Sequence, residues 1–259
     1  MVYVGTSGYS YDDWIGSVYP PGTDKRDMLR LYAERFRTVE LNFTYYRQPS
    51  ARTIAAMVRR LPEGFRLFAK ANAKTTHERD RSAAAPFKGG MAPARDAGML
   101  AGVLAQFPYS FLNEQASREY LRHLAEDFAG WNPVVEFRNR GWSKRSTLKL
   151  LRELGIGFCC VDEPPDLGLM PPVAEVTTDT AYVRFHSRDK AKWFGGGGKE
   201  RYDYLYTKDE LAEWAPKVQK LDQMASAVYV FFNNCHAGHA AVNAEQFRGL
   251  LADLGLIAK

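Results

Sequence analysis

Cysteine, histidine and long apolar runs are all scarce in this chain. Its 259 residues hold three cysteines, Cys159 and Cys160 adjacent and Cys235 apart, too few for a disulfide framework, so a reducing, cytoplasmic interior is the expected home. No apolar run is long enough to cross a bilayer, and the chain opens on the strand-like Met1-Val2-Tyr3-Val4-Gly5, so neither a membrane partner nor a signal peptide is expected. A Gly-rich dinucleotide fingerprint is missing after that first strand, which weakens a Rossmann reading. The five histidines are fewer than dinuclear or trinuclear metal barrels generally use. His236-x-x-His239 has tolerable ligand spacing but stands in a Gly-containing loop without a companion pair. No cofactor is therefore predicted, and a divalent metal has only this weak support. Recognition helix, zinc finger and RNA-binding signature are also missing. Neither sign of charge dominates. The 35 basic and 30 acidic residues leave +5, spread along the chain, which permits an anionic partner without demanding one.

What is present is a repeated alternation. With 46% apolar residues the chain can bury a large core. Short β-rich runs at 2 to 5, 38 to 42, 64 to 70, 101 to 107, 133 to 138, 156 to 161, 180 to 186 and 227 to 233 alternate with amphipathic stretches bounded by Gly and Pro. Helical spacing marks 25 to 36, 50 to 61 with Ser50 as a plausible N-cap, 116 to 128, 143 to 154, 208 to 221 and 244 to 254. Eight strands with helical crossovers in this length favour an α/β fold of one domain over 1 to 259, a (β/α)8 TIM-barrel-like domain with a parallel eight-stranded barrel. Long βα loops are expected after strands 1, 3 and 7, on the side where a barrel puts its chemistry. The loop after strand 3 is read as Asn72 to Met91. The one after strand 7, Ser187 to Tyr206, contains the run Gly195 to Gly198, read either as a mobile lid or as a plain linker.

The motifs, in order, resemble the DUF72 (YecE-like) family of uncharacterised proteins. They are Gly5-Thr6-Ser7-Gly8-Tyr9-Ser10-Tyr11 with Trp14 and Tyr19-Pro20, Phe36-x-x-Val39-Glu40-Leu41-Asn42 with Tyr45-Tyr46, and Phe68-Ala69-Lys70. Gln106-Phe107-Pro108, Val135-Glu136-Phe137-Arg138 with Trp142, Arg184-Phe185-His186, and Tyr229-Val230-Phe231-Phe232-Asn233-Asn234 with Asn243-Ala244 follow. The resemblance covers nearly the whole chain. Tyr9, where many relatives would have Trp, and Ser187, where Gly is usual, depart from it locally. It implies a TIM-barrel-like fold and no established activity, so function must come from the residues.

A strand places residues two apart on one face. Counting by two, the outermost inward-facing layer is Asn42, Lys70, Gln106, Arg138, Asp162, His186 and Asn233. One layer deeper are Glu40, Phe68, Glu136, Cys160, Arg184 and Phe231. Carboxylates and an arginine inside a barrel are costly unless paired, so Glu40, Glu136 and Arg184 are read first as an internal ionic network. Amides and cations in the outer layer suggest recognition of an anion: Arg138 as a fork, Lys70 as a mobile charge, and Asn233, Asn234 and the Gly238 turn as a phosphate site. His186 with Asp162 or Glu136 is the candidate acid–base pair. Cys235 beside His236 lacks the geometry that activates a thiol. Glu40 and Glu136 lie too deep for a glycosidase pair. Tyr9, Tyr11, Trp14, Tyr45, Tyr46, Trp142 and Trp193 either cover the rim or stack on a base or sugar.

Together these residues lead to an enzyme that acts on an anionic, phosphate-bearing substrate at the C-terminal mouth of the barrel. Its binders would be Asn42, Lys70, Gln106, Arg138, Arg184, Asn233, Asn234, Tyr9, Tyr46 and Trp193. Hydrolysis (of a phosphodiester, for example) and isomerisation stay open. The alternative is a non-catalytic nucleic-acid or nucleotide-binding barrel.

Overall fold

In the computed structural model, which describes residues 1–195 and 200–259, eight parallel strands close into a barrel in sequence order. They are β1 (Val2–Ser7), β2 (Thr38–Leu41), β3 (Arg66–Lys70), β4 (Leu100–Gln106), β5 (Pro133–Glu136), β6 (Gly157–Asp162), β7 (Thr180–Phe185) and β8 (Ala227–Phe232). The ring closes where Val2 to Thr6 register with Val228 to Phe232. Crossover helices lie near where the periodicity puts them, at Lys25–Arg35, Ala51–Val58, Gln115–Asp127, Arg145–Leu154 and His239–Asp253, while the stretch 208 to 221 divides into Lys208–Ala212 and Ala215–Met224. The β6 to β7 connection has no helix.

Two local expectations change. The stretch read as a loop from Asn72 to Met91 contains a helical turn at Lys74–Glu78 and most of the helix Ala84–Asp96. Its Ala, Gly and Pro content hides the helical period. Gly90 serves packing there, because a Cβ on it would collide with the Pro49 carbonyl oxygen at the start of the neighbouring helix. Ser50 does stand at the N-cap of Ala51–Val58, but its hydroxyl caps nothing. Of the glycine run, Gly195 ends the short helix Lys190–Gly195. Gly196 to Lys199, and the lid assigned to them, lie outside the described residues.

The barrel is filled in tiers. At its N-terminal end Tyr3 stacks on Tyr229, with ring centroids 5.0 Å apart. Phe68 meets Tyr182 and Tyr229 edge-on at 4.6 and 4.9 Å. Gly102 makes room for this cluster: a Cβ there would lie 2.5 Å from the Phe68 ring and 2.6 Å from the Asn132 carbonyl oxygen. Above the aromatic tier is an ionic one. Arg184 on β7 places Nη2 2.7 Å from Glu40 Oε1 and Nη1 2.6 Å from Glu136 Oε2. Its Nη2 also reaches Ser7 Oγ at 3.3 Å, and the Tyr182 hydroxyl donates to Glu40 Oε2 at 2.5 Å. All these side chains are buried.

One strand departs from the expected parity. On β6 Cys159, not Cys160, faces inward, its Sγ 3.7 Å from Glu136 Oε2. Cys160 turns outward to the Glu175 carbonyl oxygen at 3.4 Å. The run Phe158-Cys159-Cys160-Val161 is apolar on both faces, so it contains no alternation to fix which side is in. Asp162 follows the same shift and leaves the mouth.

Candidate active site at the barrel mouth

The strand ends bring Asn42, Lys70 and Asn233 onto the wall of a cavity of about 190 Å³, together with Tyr11, Tyr46, Tyr202 and Cys235. A wider groove of about 510 Å³ shares Tyr11, Tyr202 and Cys235 with it and runs out past Ser10, Asp12, Asp13 and His236. A third hollow of about 450 Å³ lies between helix His239–Asp253 and the C-terminal residues. Ala258 pairs with Val2 there, at the opposite end of the barrel from the chemistry.

Lys70 ends β3. Its Nζ donates to Gln106 Oε1 at 2.8 Å and lies 4.3 Å from the Tyr45 ring centroid, a cation–π contact. Burial, and then the Arg184 guanidinium, lower its pKa to about 7. Asn42 sits beside it with a buried Oδ1 that has no hydrogen-bond partner.

Of the neighbouring arginines, Arg201 stacks on Trp193 at 5.1 Å with a buried Nε that has no hydrogen-bond partner, whereas Arg138 and Arg184 are occupied by carboxylates. Arg138, just past β5, has Nη2 2.6 Å from Glu136 Oε1 and Nη1 2.5 Å from Glu163 Oε2. Trp193 covers its guanidinium at 5.3 Å. Burial works against the Glu136 carboxylate, but Arg138 and Arg184 more than offset it and hold its pKa well below the usual range. Glu163 goes the other way. Burial outweighs Arg138 and pushes its pKa up to about 7, and its Oε1 is left without a partner.

His186 is fully buried. Its Nδ1 lies 3.0 Å from Asn233 Nδ2, and its Nε2 lies 3.3 Å from Glu136 Oε1 and 3.2 Å from Arg138 Nη2. Asn233 Nδ2 and Arg138 Nη2 are both donors, and a neutral imidazole accepts through one nitrogen only, so the ring is matched to one of them at a time. Burial first, then Arg138, depress its pKa well below the ordinary value, so the ring is neutral. It orients Asn233 and does not line the cavity.

Three of the expected site residues are elsewhere. Asp162 is outside the barrel wall, accepting from Tyr206 Oη at 2.8 Å, Trp214 Nε1 at 2.6 Å and Arg188 Nη2 at 2.8 Å. The odd parity of β6 sends it there, away from His186. Asn234 also faces outward, donating to the Tyr204 carbonyl oxygen and to Asn243 Oδ1, both at 2.8 Å, so it secures loop backbone. Tyr9 leans on Tyr32 at 6.1 Å, on the helical side. The turn before the last helix is not open to phosphate either, because Asp13 Oδ2 accepts from the Ala237 amide at 2.7 Å. Among the described residues, no group of three or more His, Cys, Asp or Glu is placed to hold a metal ion. Burial pushes the Cys235 thiol up to about 12, which makes it a poor nucleophile near neutrality.

Glu163, Ser7 and Tyr202 were missed. Glu163 had a readable signal: Asp162 and Glu163 are consecutive at a strand end, so one of them must face inward.

A closed parallel barrel whose strand ends converge on a polar cavity is a TIM-barrel protein with a formed mouth. The chain belongs to the DUF72 family, described as a protein of unknown function, whose model matches residues 3–256. It is 33% identical over 270 residues to the UPF0759 protein YunF of Bacillus subtilis, covering 97% of this chain and 95% of that one. A DUF72 family protein of Thermotoga maritima is 42% identical in its crystal structure, with a TM-score of 0.91 and coverage of 97% of this chain and 99% of that one. A second, from Enterococcus faecalis, is 28% identical with a TM-score of 0.87, covering 97% and 96%. Among the described residues no helix is long and apolar enough to cross a membrane.

Proposed function

We propose that the protein is an enzyme acting on a small anionic substrate, a phosphate ester or a carboxylate, taken up at the C-terminal mouth of the barrel. One observation carries this reading. Arg138 and Arg184 each hold two carboxylates. Lys70 reaches the cavity wall with an amide oxygen as its hydrogen-bond acceptor, and among the described residues no carboxylate forms an ion pair with it. Of the two cations expected to bind the anion, the one available is thus Lys70 rather than Arg138. The cavity at Lys70 holds about 190 Å³, below the ~300 Å³ at which sites for drug-sized ligands begin, so the part of the substrate that meets Lys70 is small and any remainder lies along the adjoining groove. Asn42 and Asn233 supply neutral polar contacts. With a pKa near 7, Lys70 is also the group suited to transfer a proton at neutral pH, while His186 acts indirectly by holding Asn233.

Calorimetric titration at pH 6 with inorganic phosphate, phosphoglycolate and glycolate tests this. At least one should bind wild type, lose tenfold or more in Lys70→Met, and recover part of that in Lys70→Arg. Binding indifferent to Lys70, or none by all three, sinks the reading.

A nucleotide or nucleic-acid binder is the second reading, favoured by Tyr46, which stands 82% exposed at the cavity edge, and by Tyr11 and Tyr202 along the groove. It requires oligonucleotide affinity that falls steeply with salt and with Tyr46→Ala.

A further inference from the structure

We propose that Lys70 is an amine nucleophile and that the substrate class is a small anionic carbonyl compound, which the protein holds as an imine on Nζ. The inference rests on the anion reading above and adds covalent chemistry to it: with a pKa near 7, Lys70 meets the anion as an ammonium and attacks from its free-amine fraction. A lysine can attack a carbonyl only as the free amine, and proteins favour that form by desolvation and by neighbouring cations. Both conditions are built into the fold. Lys70 ends β3 directly above the ionic tier. Burial and then Arg184 on β7 oppose its charge; Glu136 and Glu40 favour it, each more strongly than Arg138 past β5 opposes it, and burial with Arg184 prevails. His77, from the turn after β3, has its pKa lowered by partial desolvation and then by the Lys70 charge. Glu40 and Glu136 are already committed to guanidiniums, so neither reaches Nζ as an ion pair. What does reach it is an amide oxygen, Gln106 Oε1 at 2.8 Å, and an aromatic face, Tyr45 at 4.3 Å. The amide oxygen accepts from amine and ammonium alike, the Tyr45 face favours the ammonium, and no carboxylate ion pair fixes that form, so Lys70 can pass between the two.

The step balances without a further reactant. The Nζ lone pair forms a bond to the carbonyl carbon, the C–O π pair moves to oxygen, and one Nζ proton passes to that oxygen to give the neutral carbinolamine. The C–O bond then breaks as the nitrogen lone pair forms the C=N bond, and the oxygen takes the second Nζ proton and leaves as water. Lysine amine and carbonyl are thereby converted to imine and water. Asn42 Oδ1, buried and unpartnered, is positioned on the same wall to accept the carbinolamine hydroxyl.

Reductive trapping tests it. The full-length protein is incubated at pH 7.5 with glyoxylate, or with the neutral acetaldehyde, in the presence of cyanoborohydride, and the labelled peptides are mapped by mass spectrometry. Labelling of Lys70 by glyoxylate at least tenfold faster than of any other lysine is expected. A rate that climbs through pH 7 and a loss of the adduct in Lys70→Arg should accompany it. Glyoxylate labelling spread over surface lysines, with Lys70 no faster than they are, overturns the proposal. Mapping on the wild-type chain keeps the test valid should the variant misfold. The two readings fail differently. Protection of the mouth by inorganic phosphate with no Lys70 adduct sinks the imine and leaves the anion site. Equal Lys70 labelling by glyoxylate and acetaldehyde, unaffected by phosphate, supports the nucleophile and removes the anion from the substrate class, which overturns the proposal as worded.

Discussion

Arg184 and Glu136 approach to 2.6 Å across the barrel, from β7 and β5, with β6 between them. Arg184 reaches Glu40 on β2 from its other nitrogen. The two carboxylates and the guanidinium are no more than 1% exposed, so removing either partner strands a buried charge. Glu136→Gln or Arg184→Met is expected to lose about 3–5 kcal/mol. Urea denaturation checks it, and a loss below about 1 kcal/mol would show that the network is dispensable.

The second expectation concerns pH. Lys70 titrates near 7 in the folded protein and at about 10.4 when unfolded. Between those values the unfolded chain binds more protons, so this residue makes stability rise with pH from about 7 to 10; below 7 its penalty is fully present. Wild type minus Lys70→Met, compared by denaturation at pH 6, 8 and 10, should narrow steadily in favour of wild type. A difference that is flat with pH would refute the lowered pKa.

Glu163 acts in a different window. Its folded pKa of about 7 lies above the unfolded carboxyl value of about 4.3. Over that interval the folded state binds more protons, and the residue's contribution to stability falls as pH rises toward 7. Glu163→Gln, which cannot ionise, should remove this slope; an unchanged pH profile between 4.5 and 7 counts against it.

Asp162 separates structure from site. Its carboxylate ties β6 to Tyr206, Trp214 and Arg188 outside the wall. Asp162→Ala is expected to cost about 2–4 kcal/mol of stability through the donors it orphans. Phosphate affinity, measured under conditions where the variant stays folded, should remain within about twofold of wild type on the same separation from the cavity. A selective loss of binding would place Asp162 in the mouth after all.

Gly102 tests the aromatic tier. A methyl there meets both the Phe68 ring and the Asn132 backbone, and the backbone cannot swing away. Gly102→Ala should destabilise by at least about 1–3 kcal/mol, and pairing it with Phe68→Leu should recover only part of that. Full recovery would mean that the backbone contact yields.

The eight strands were legible because βα alternation is a long-range pattern that single residues hardly disturb. Site parity was legible on β2, β3, β5, β7 and β8, where a polar residue interrupts apolar neighbours and marks the inner face, as Glu40, Lys70, Glu136 and Arg184 do. On β6 the double cysteine erases that mark, so counting by two puts Asp162 inside, where Glu163 stands. Pairing was legible only in part. The sequence implied that Glu40, Glu136 and Arg184 would meet, but Arg138 looked free. Of the two carboxylates that engage it, Glu136 stands two residues before it, and Glu163 directly follows β6, the strand whose inner face the double cysteine leaves unmarked.

The ionic tier also bears on how the chain can be divided. Ser7 and Glu40 belong to the first four strands, Glu136 and Arg184 to the last four. A cut between β4 and β5 would leave an acid without its base on one side, and on the other a guanidinium with one of its two acids. Each fragment would hold its charged groups in water rather than collapse around them, because neither contains the full set of counterions. The barrel's centre is thus a lock whose parts come from both ends of the gene, and it engages only when the two halves close on each other.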